Sequence, residues 1–248
     1  MAFVELDHIS KSYGALKVID DLSVHLDDGE ALGVVGPNGA GKTTMLHLLA
    51  GQLRPDHGRV RFDGRDVTAL PARRRCQLGM ARTYQVPQPF TGMTVYENVL
   101  VGATFGREDR GGRLPEARAA GPTEACLAAL DQAALSHRAN ALAGSLTLLE
   151  RKQLELARAL ATAPRVLLLD EIAGGLTDAE VRELLATIQR LRGAGVSIIW
   201  IEHIVHVLLS SVDRIVAINF GRKLIEGEPR AVMASPEVRD VYLGGEVA

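Results

Sequence analysis

Eight consecutive residues, Gly36-Pro37-Asn38-Gly39-Ala40-Gly41-Lys42-Thr43, carry the densest chemistry in the chain. They fit the pattern GxxxxGK[ST] at every fixed position. Glycines let backbone N–H groups crowd around phosphate oxygens without Cβ clashes. Lys42 offers a positive charge to β- and γ-phosphates, and the Thr43 hydroxyl is a ligand for Mg²⁺. Thr44 opens the helical stretch that runs to Ala50. The positive end of that helix is expected to face the same anion. A chance glycine-rich turn is the competing reading. The apolar run Ala31–Val35 before the loop and the helical pattern after it favour a phosphate site.

A second cluster is acidic. Val166-Leu167-Leu168-Leu169 ends in Asp170-Glu171. An all-apolar run of this length reads as a strand buried on both faces, and ligands of open α/β sheets sit at the carboxyl ends of such strands. Asp170 is then expected to hold Mg²⁺ through water, and Glu171 to polarise an attacking water as general base. An acidic turn with no chemistry is a fair rival for this pair alone. Beside a phosphate loop it loses ground.

The elements that must position these groups can be read from periodicity. Leu22, Val24 and Leu26 alternate with polar neighbours and end at the turn Asp27-Asp28-Gly29, the pattern of a half-buried strand. Gly58 to Phe62 is another expected strand, closed by Asp63-Gly64. From about Pro87 to Gly144 the chain is rich in Ala, Arg and Glu, with a charged, glycine-rich patch at Gly106 to Arg113. This reads as a helical region with a flexible loop inside. Thr177 and Glu180 have capping-box spacing, and Val181, Leu184, Leu185, Ile188 and Leu191 recur at helical intervals. Ser197–Ile201 and Arg214–Asn219 are further apolar strands. Buried strands alternating with amphipathic helices imply an α/β fold, a parallel sheet covered by helices.

Bulk properties narrow the partners. The 248 residues suit one large domain or two small ones. Twenty-eight basic residues against thirty acidic ones give a net charge of −2, which makes no case for nucleic acid. Cys76 and Cys126 lie in no metal-spaced cluster and read as ordinary thiols of a reducing compartment. The start lacks a signal-peptide pattern, and no apolar run approaches the ~20 residues of a spanning helix. The chain is expected to be cytoplasmic and to reach a membrane only through a partner.

Taken together, these residues resemble the ATP-binding subunits of ABC transporters over nearly the full length. The resemblance implies a P-loop NTPase (RecA-like) core with an antiparallel β subdomain and an inserted helical subdomain. Residues 1–86 and 158–248 would form the core with its β subdomain, and 87–157 the helical part. It implies ATP with Mg²⁺ as the bound species and ATP hydrolysis as the reaction. Tyr13, in Lys11-Ser12-Tyr13-Gly14, matches the aromatic that stacks on adenine. Gln85, in Arg82-Thr83-Tyr84-Gln85, matches the glutamine that senses Mg²⁺ and water and links to the membrane subunit. His203, in Ile201-Glu202-His203, matches the histidine that grips the γ-phosphate. Packing roles for Tyr13 and His203, and a solvated surface role for Gln85, are the plainer alternatives.

Within that family the chain more closely resembles the subunits of branched-chain amino acid importers. The segments that carry this are Thr91–Val99, Asp213–Gly221 and the tail from Ser235 to Gly244. Importers of urea, amides or other amino acids share them. The implied partners are a second ATP-binding subunit, transmembrane permease subunits and, indirectly, a substrate-binding protein. The implied place is peripheral, on the inner face of the cell membrane. A soluble, non-transport ATPase of the same fold and a non-catalytic regulatory subunit are the rival readings.

The resemblance breaks at the family's signature, normally Leu-Ser-Gly-Gly-Gln. Here Leu146-Thr147-Leu148-Leu149-Glu150 stands in its place. Thr147 keeps the hydroxyl expected to contact the γ-phosphate of the opposite subunit. Leu148 and Leu149 replace the two glycines, and Glu150 is expected to bring negative charge towards a polyanion. Ile172 replaces a common proline, and Gly174-Gly175-Leu176-Thr177 stands where Ser-Ala-Leu-Asp is common. Full catalytic residues beside an altered signature suggest an asymmetric heterodimer. The alternative is that the altered segment works as it stands.

Overall fold

The computed structural model describes residues 2–106 and 121–243. The flexible loop expected at Gly106 to Arg113 lies, apart from Gly106, outside the described residues, and so does Gly244. The chain divides into two compact units, Met1–Ala72 with Ser197–Ala248, and Arg73–Val196.

The first unit holds two sets of strands. β1 (Val4–Tyr13), β2 (Leu16–Leu26), β4 (His57–Phe62) and β5 (Arg65–Asp66) form an antiparallel sheet in the order β2-β1-β4-β5. The alternation seen in the sequence sets its inner face: Leu22, Val24 and Leu26 are buried, as are Leu6 and Ile9 opposite them. The second set has the order β10-β9-β3-β8, from β3 (Ala31–Val35), β8 (Ser197–Ile201), β9 (Arg214–Asn219) and β10 (Arg222–Gly227). β3 runs parallel to both β8 and β9, and every residue of β3 is buried. Burial on both faces explains why β3 and β8 read as continuous apolar runs rather than alternating ones. The helices of this unit are α1 (Lys42–Ala50), α7 (Val205–Leu209), α8 (Pro229–Ala234) and α9 (Pro236–Leu243).

The second unit begins near α2 (Ala72–Gln77), and its described residues include a pair of parallel strands, β6 (Met80–Arg82) and β7 (Val166–Asp170). Helices α3 (Val95–Phe105), α4 (Pro122–Gln132) and α5 (Leu148–Leu160) pack against one another. α6 (Asp178–Gly193) follows β7. Its expected capping box is present: the Glu180 N–H donates to Thr177 Oγ1, and the Thr177 N–H donates to Glu180 Oε2 at 2.8 Å. The Thr177 N–H and hydroxyl, both donating to the carboxylate, hold the Glu180 carboxyl below its ordinary range. The same box starts α3 at Thr94 and Glu97, and α5 at Thr147 and Glu150. Both cysteines are free, and burial pushes the Cys126 thiol up to about 11, so it stays protonated and inert. Among the described residues no helix is long and apolar enough to cross a membrane.

Candidate functional site

In the first unit the chain leaves β3 at Gly36 and enters α1 at Lys42. Between them the backbone turns through conformations that side chains resist. Gly36, Gly39 and Gly41 have φ of 154°, 81° and 100°. A Cβ on Gly36 would stand 2.2 Å from the carbonyl oxygen of Ile218, and one on Gly41 2.8 Å from that of Val18. Neighbouring backbone therefore presses against the loop, and only glycine fits at either place. The loop is tied down by the Ala40 N–H donating to Pro37 O at 3.2 Å and the Gly221 N–H donating to Ala40 O at 3.0 Å.

Lys42 belongs to the first turn of α1, two residues before the helical stretch expected from sequence. Its side chain is buried and curls back, with Nζ donating to Gly36 O at 2.6 Å and Pro37 O at 2.9 Å. An ammonium group is thus fixed inside a ring of backbone. Gly41, at the N-cap, supplies no side-chain acceptor to the first turn of α1. Thr43 is exposed and Thr44 half-buried, while Asn38 and Gly39 form the outer lip. A lysine, a helix N-terminus and an outward hydroxyl suit a phosphate chain with its cation. Tyr13 ends β1 with its side chain 49% exposed, enough ring surface to stack on a planar base. His203 follows β8 and is exposed, beside the fully buried Glu202. Oε1 of Glu202 accepts the His203 N–H at 3.0 Å and lies 3.3 Å from its Nδ1.

The acidic pair belongs to the second unit. Asp170 ends β7 and is buried, with Oδ2 accepting from Arg82 Nη2 at 2.7 Å. Glu171 takes φ of +46°, a conformation that costs a non-glycine residue energy and is common where a side chain must be re-aimed. Gln85 Nε2 donates to Glu171 Oε2, so two of the expected site residues meet directly. Lys152 Nζ donates to the Glu171 carbonyl at 3.4 Å. Reading the sequence alone missed Arg82 and Lys152. Arg82 stood in plain view three residues before Gln85.

The altered signature departs from expectation in one respect. Glu150 does not present its charge outward. Its carboxylate folds back to accept the Thr147 N–H at 2.8 Å and pairs with Arg138 Nε at 3.0 Å, leaving the side chain 16% exposed. The cause is the capping box, which turns the Glu side chain towards the helix start. Leu149 is buried and Leu148 is 43% exposed. A Cβ on Gly175, which has φ of +77°, would come within 3.2 Å of Leu148 Cδ2. The leucine in the signature and the glycine in the loop after β7 therefore share one space.

The ABC transporter family profile matches residues 19–174. A probable ABC transporter ATP-binding protein of Azorhizobium caulinodans is 36% identical over 96% of this chain and 82% of its own length. The high-affinity branched-chain amino acid transport ATP-binding protein BraF of Pseudomonas aeruginosa is 34% identical over 97% of both. The lipopolysaccharide export system ATP-binding protein LptB of Haemophilus influenzae is 33% identical over 98% of both. Among solved structures, a nucleotide-free ATP-binding cassette from an ABC transporter superposes with a TM-score of 0.87 at 28% identity, covering 98% of this chain and 99% of that one. The chain belongs to the ABC transporter ATP-binding family, with its P-loop NTPase fold. Its activity is accordingly ATP hydrolysis, and its place is the ATP-binding subunit of a transporter.

Proposed function

We propose that this subunit drives an importer of branched-chain or chemically related amino acids, using Mg²⁺ with ATP. The observation that carries the cargo class is its similarity along nearly the whole chain to BraF and to branched-chain amino acid transport proteins named LivG. LptB relatives of near-equal identity make export the rival reading. Co-purification with its permease partners, followed by uptake of labelled leucine into vesicles loaded with ATP, separates the two. ATP-dependent accumulation is the expected result. Assembly with permeases but no uptake of any amino acid or amide would count against it.

In this reading Lys42 neutralises the β- and γ-phosphates cradled by Gly36 to Thr44. Thr43 takes the cation, Tyr13 the adenine and His203 the γ-phosphate. Asp170 holds the cation through water, Glu171 polarises the attacking water, and Gln85 reads both water and cation. The cation supplies charge neutralisation at the oxygens of the transferred phosphoryl group. Residues 1–86 and 158–248 act as the nucleotide-binding core and 87–157 as the helical part. Two such subunits would pair head to tail, each nucleotide held by one phosphate loop and the opposite signature, on the inner face of the membrane beneath the permeases.

The second reading, an asymmetric heterodimer, draws support from the start of α5. There Leu148 and Leu149 stand where close backbone approach is expected, while Glu150, paired with Arg138, adds no outward charge. A different ATPase subunit would then supply the signature for this chain's own catalytic groups. Replacing Leu148, Leu149 and Glu150 by Gly, Gly and Gln is expected to raise ATP turnover of the assembled transporter severalfold. Unchanged turnover would mean that the natural segment is already competent.

A further inference from the structure

The buried ion pair beneath the acidic cluster has no part in the reading above. β6 lies parallel to β7 with Arg82 opposite Leu168, so the arginine side chain extends to Asp170 two residues further along. Nη2 of Arg82 donates to Asp170 Oδ2 at 2.7 Å, and the two side chains are only 7% and 3% exposed. The guanidinium also lies 5.1 Å from the ring centroid of Tyr84. A carboxylate this deep needs a counter-charge, because burying it alone is costly. The segment that follows delivers Gln85 to Glu171. One short stretch of chain thus clasps both acids, each with its own residue.

We propose that Arg82 is a positioning residue for Asp170: a resident counter-cation that pairs with the carboxylate and tempers its pull on Mg²⁺. This rests on the reading of Asp170 as the magnesium carboxylate. The physical basis is competition. One carboxylate serves two cations, and like charges sharing a partner at short range repel. A purely structural arginine would stabilise the fold without altering how much Mg²⁺ contributes to nucleotide binding.

The test is thermodynamic and needs no turnover. Calorimetry on the full chain measures binding of a non-hydrolysable ATP analogue, with and without Mg²⁺, and the ratio of the two affinities is the magnesium gain. Arg82→Gln is expected to raise that gain about three- to tenfold, since a nearby positive charge is removed. Arg82→Lys keeps a charge but sets it further from Oδ2, and is expected to raise the gain about twofold. It keeps the proposal testable should the glutamine variant fail to fold. Asp170→Asn is expected to lower the gain. If Asp170→Asn lowers it while neither arginine variant that folds raises it, the inference about Arg82 is overturned and the magnesium reading survives. If Asp170→Asn leaves the gain at the wild-type value, the magnesium reading fails and takes the inference with it.

Discussion

Glutamine in place of Glu171 is expected to cut ATP hydrolysis by about two to four orders of magnitude, the usual contribution of a general base. Nucleotide binding should remain. The substitution changes the chemistry of one side chain and little of its shape. The carbonyl of residue 171 still receives the Lys152 ammonium, and an amide side chain can still meet Gln85 by rotating its own oxygen towards the donor. What disappears is a carboxylate able to draw a proton from water. Because φ at this residue is +46°, the backbone holds the side chain in a conformation that glutamine inherits. Phosphate release and ATP binding, measured on the same preparation, separate the two effects. Turnover at the wild-type rate would remove Glu171 from the reaction.

Alanine in place of Gly36 should have the opposite profile, with folding and binding lost together. The added Cβ would stand 2.2 Å from the Ile218 carbonyl oxygen, well inside contact distance, and φ of 154° is itself strained for an L side chain. Neither atom is the flexible end of a side chain. The loop or β9 must therefore shift. A cost of about 3 kcal/mol or more follows, in the upper range for single substitutions, and the shift carries the residue 36 carbonyl away from the Lys42 ammonium it holds. Denaturant unfolding and ATP calorimetry read the two losses. A variant as stable as the parent that still binds ATP would show that the loop is looser than this geometry allows.

Much of the α/β framework was legible beforehand, for reasons that are local. β3, β7, β8 and β9 sit under apolar runs because strands covered on both faces need no alternation. α6 announced itself through Thr177 and Glu180, whose box needs only three-residue spacing. The glycine-rich loop was legible because its pattern is contiguous, although the carbonyls of Ile218 and Val18 that also exclude side chains at Gly36 and Gly41 were not. The Arg82–Asp170 pair was out of reach, since 88 residues separate its members and only the register of β6 on β7 brings them together. The fold-back of Glu150 was within reach. Thr147 and Glu150 repeat the spacing already recognised at Thr177 and Glu180, but comparison with a glycine-rich signature drew attention to charge rather than to capping.

Leu148 and Gly175 couple the altered signature to the loop after β7. The leucine occupies room that a side chain at position 175 would need. Glycine at 148 would remove that neighbour, and alanine at 175 would press its Cβ on the leucine and take a φ of +77° that side chains resist. The two positions should covary among homologues, and in a double-mutant cycle their effects should depart from additivity. A chimaera with glycine at 148 would remove that contact, and only the φ of +77° would then hold position 175 to glycine.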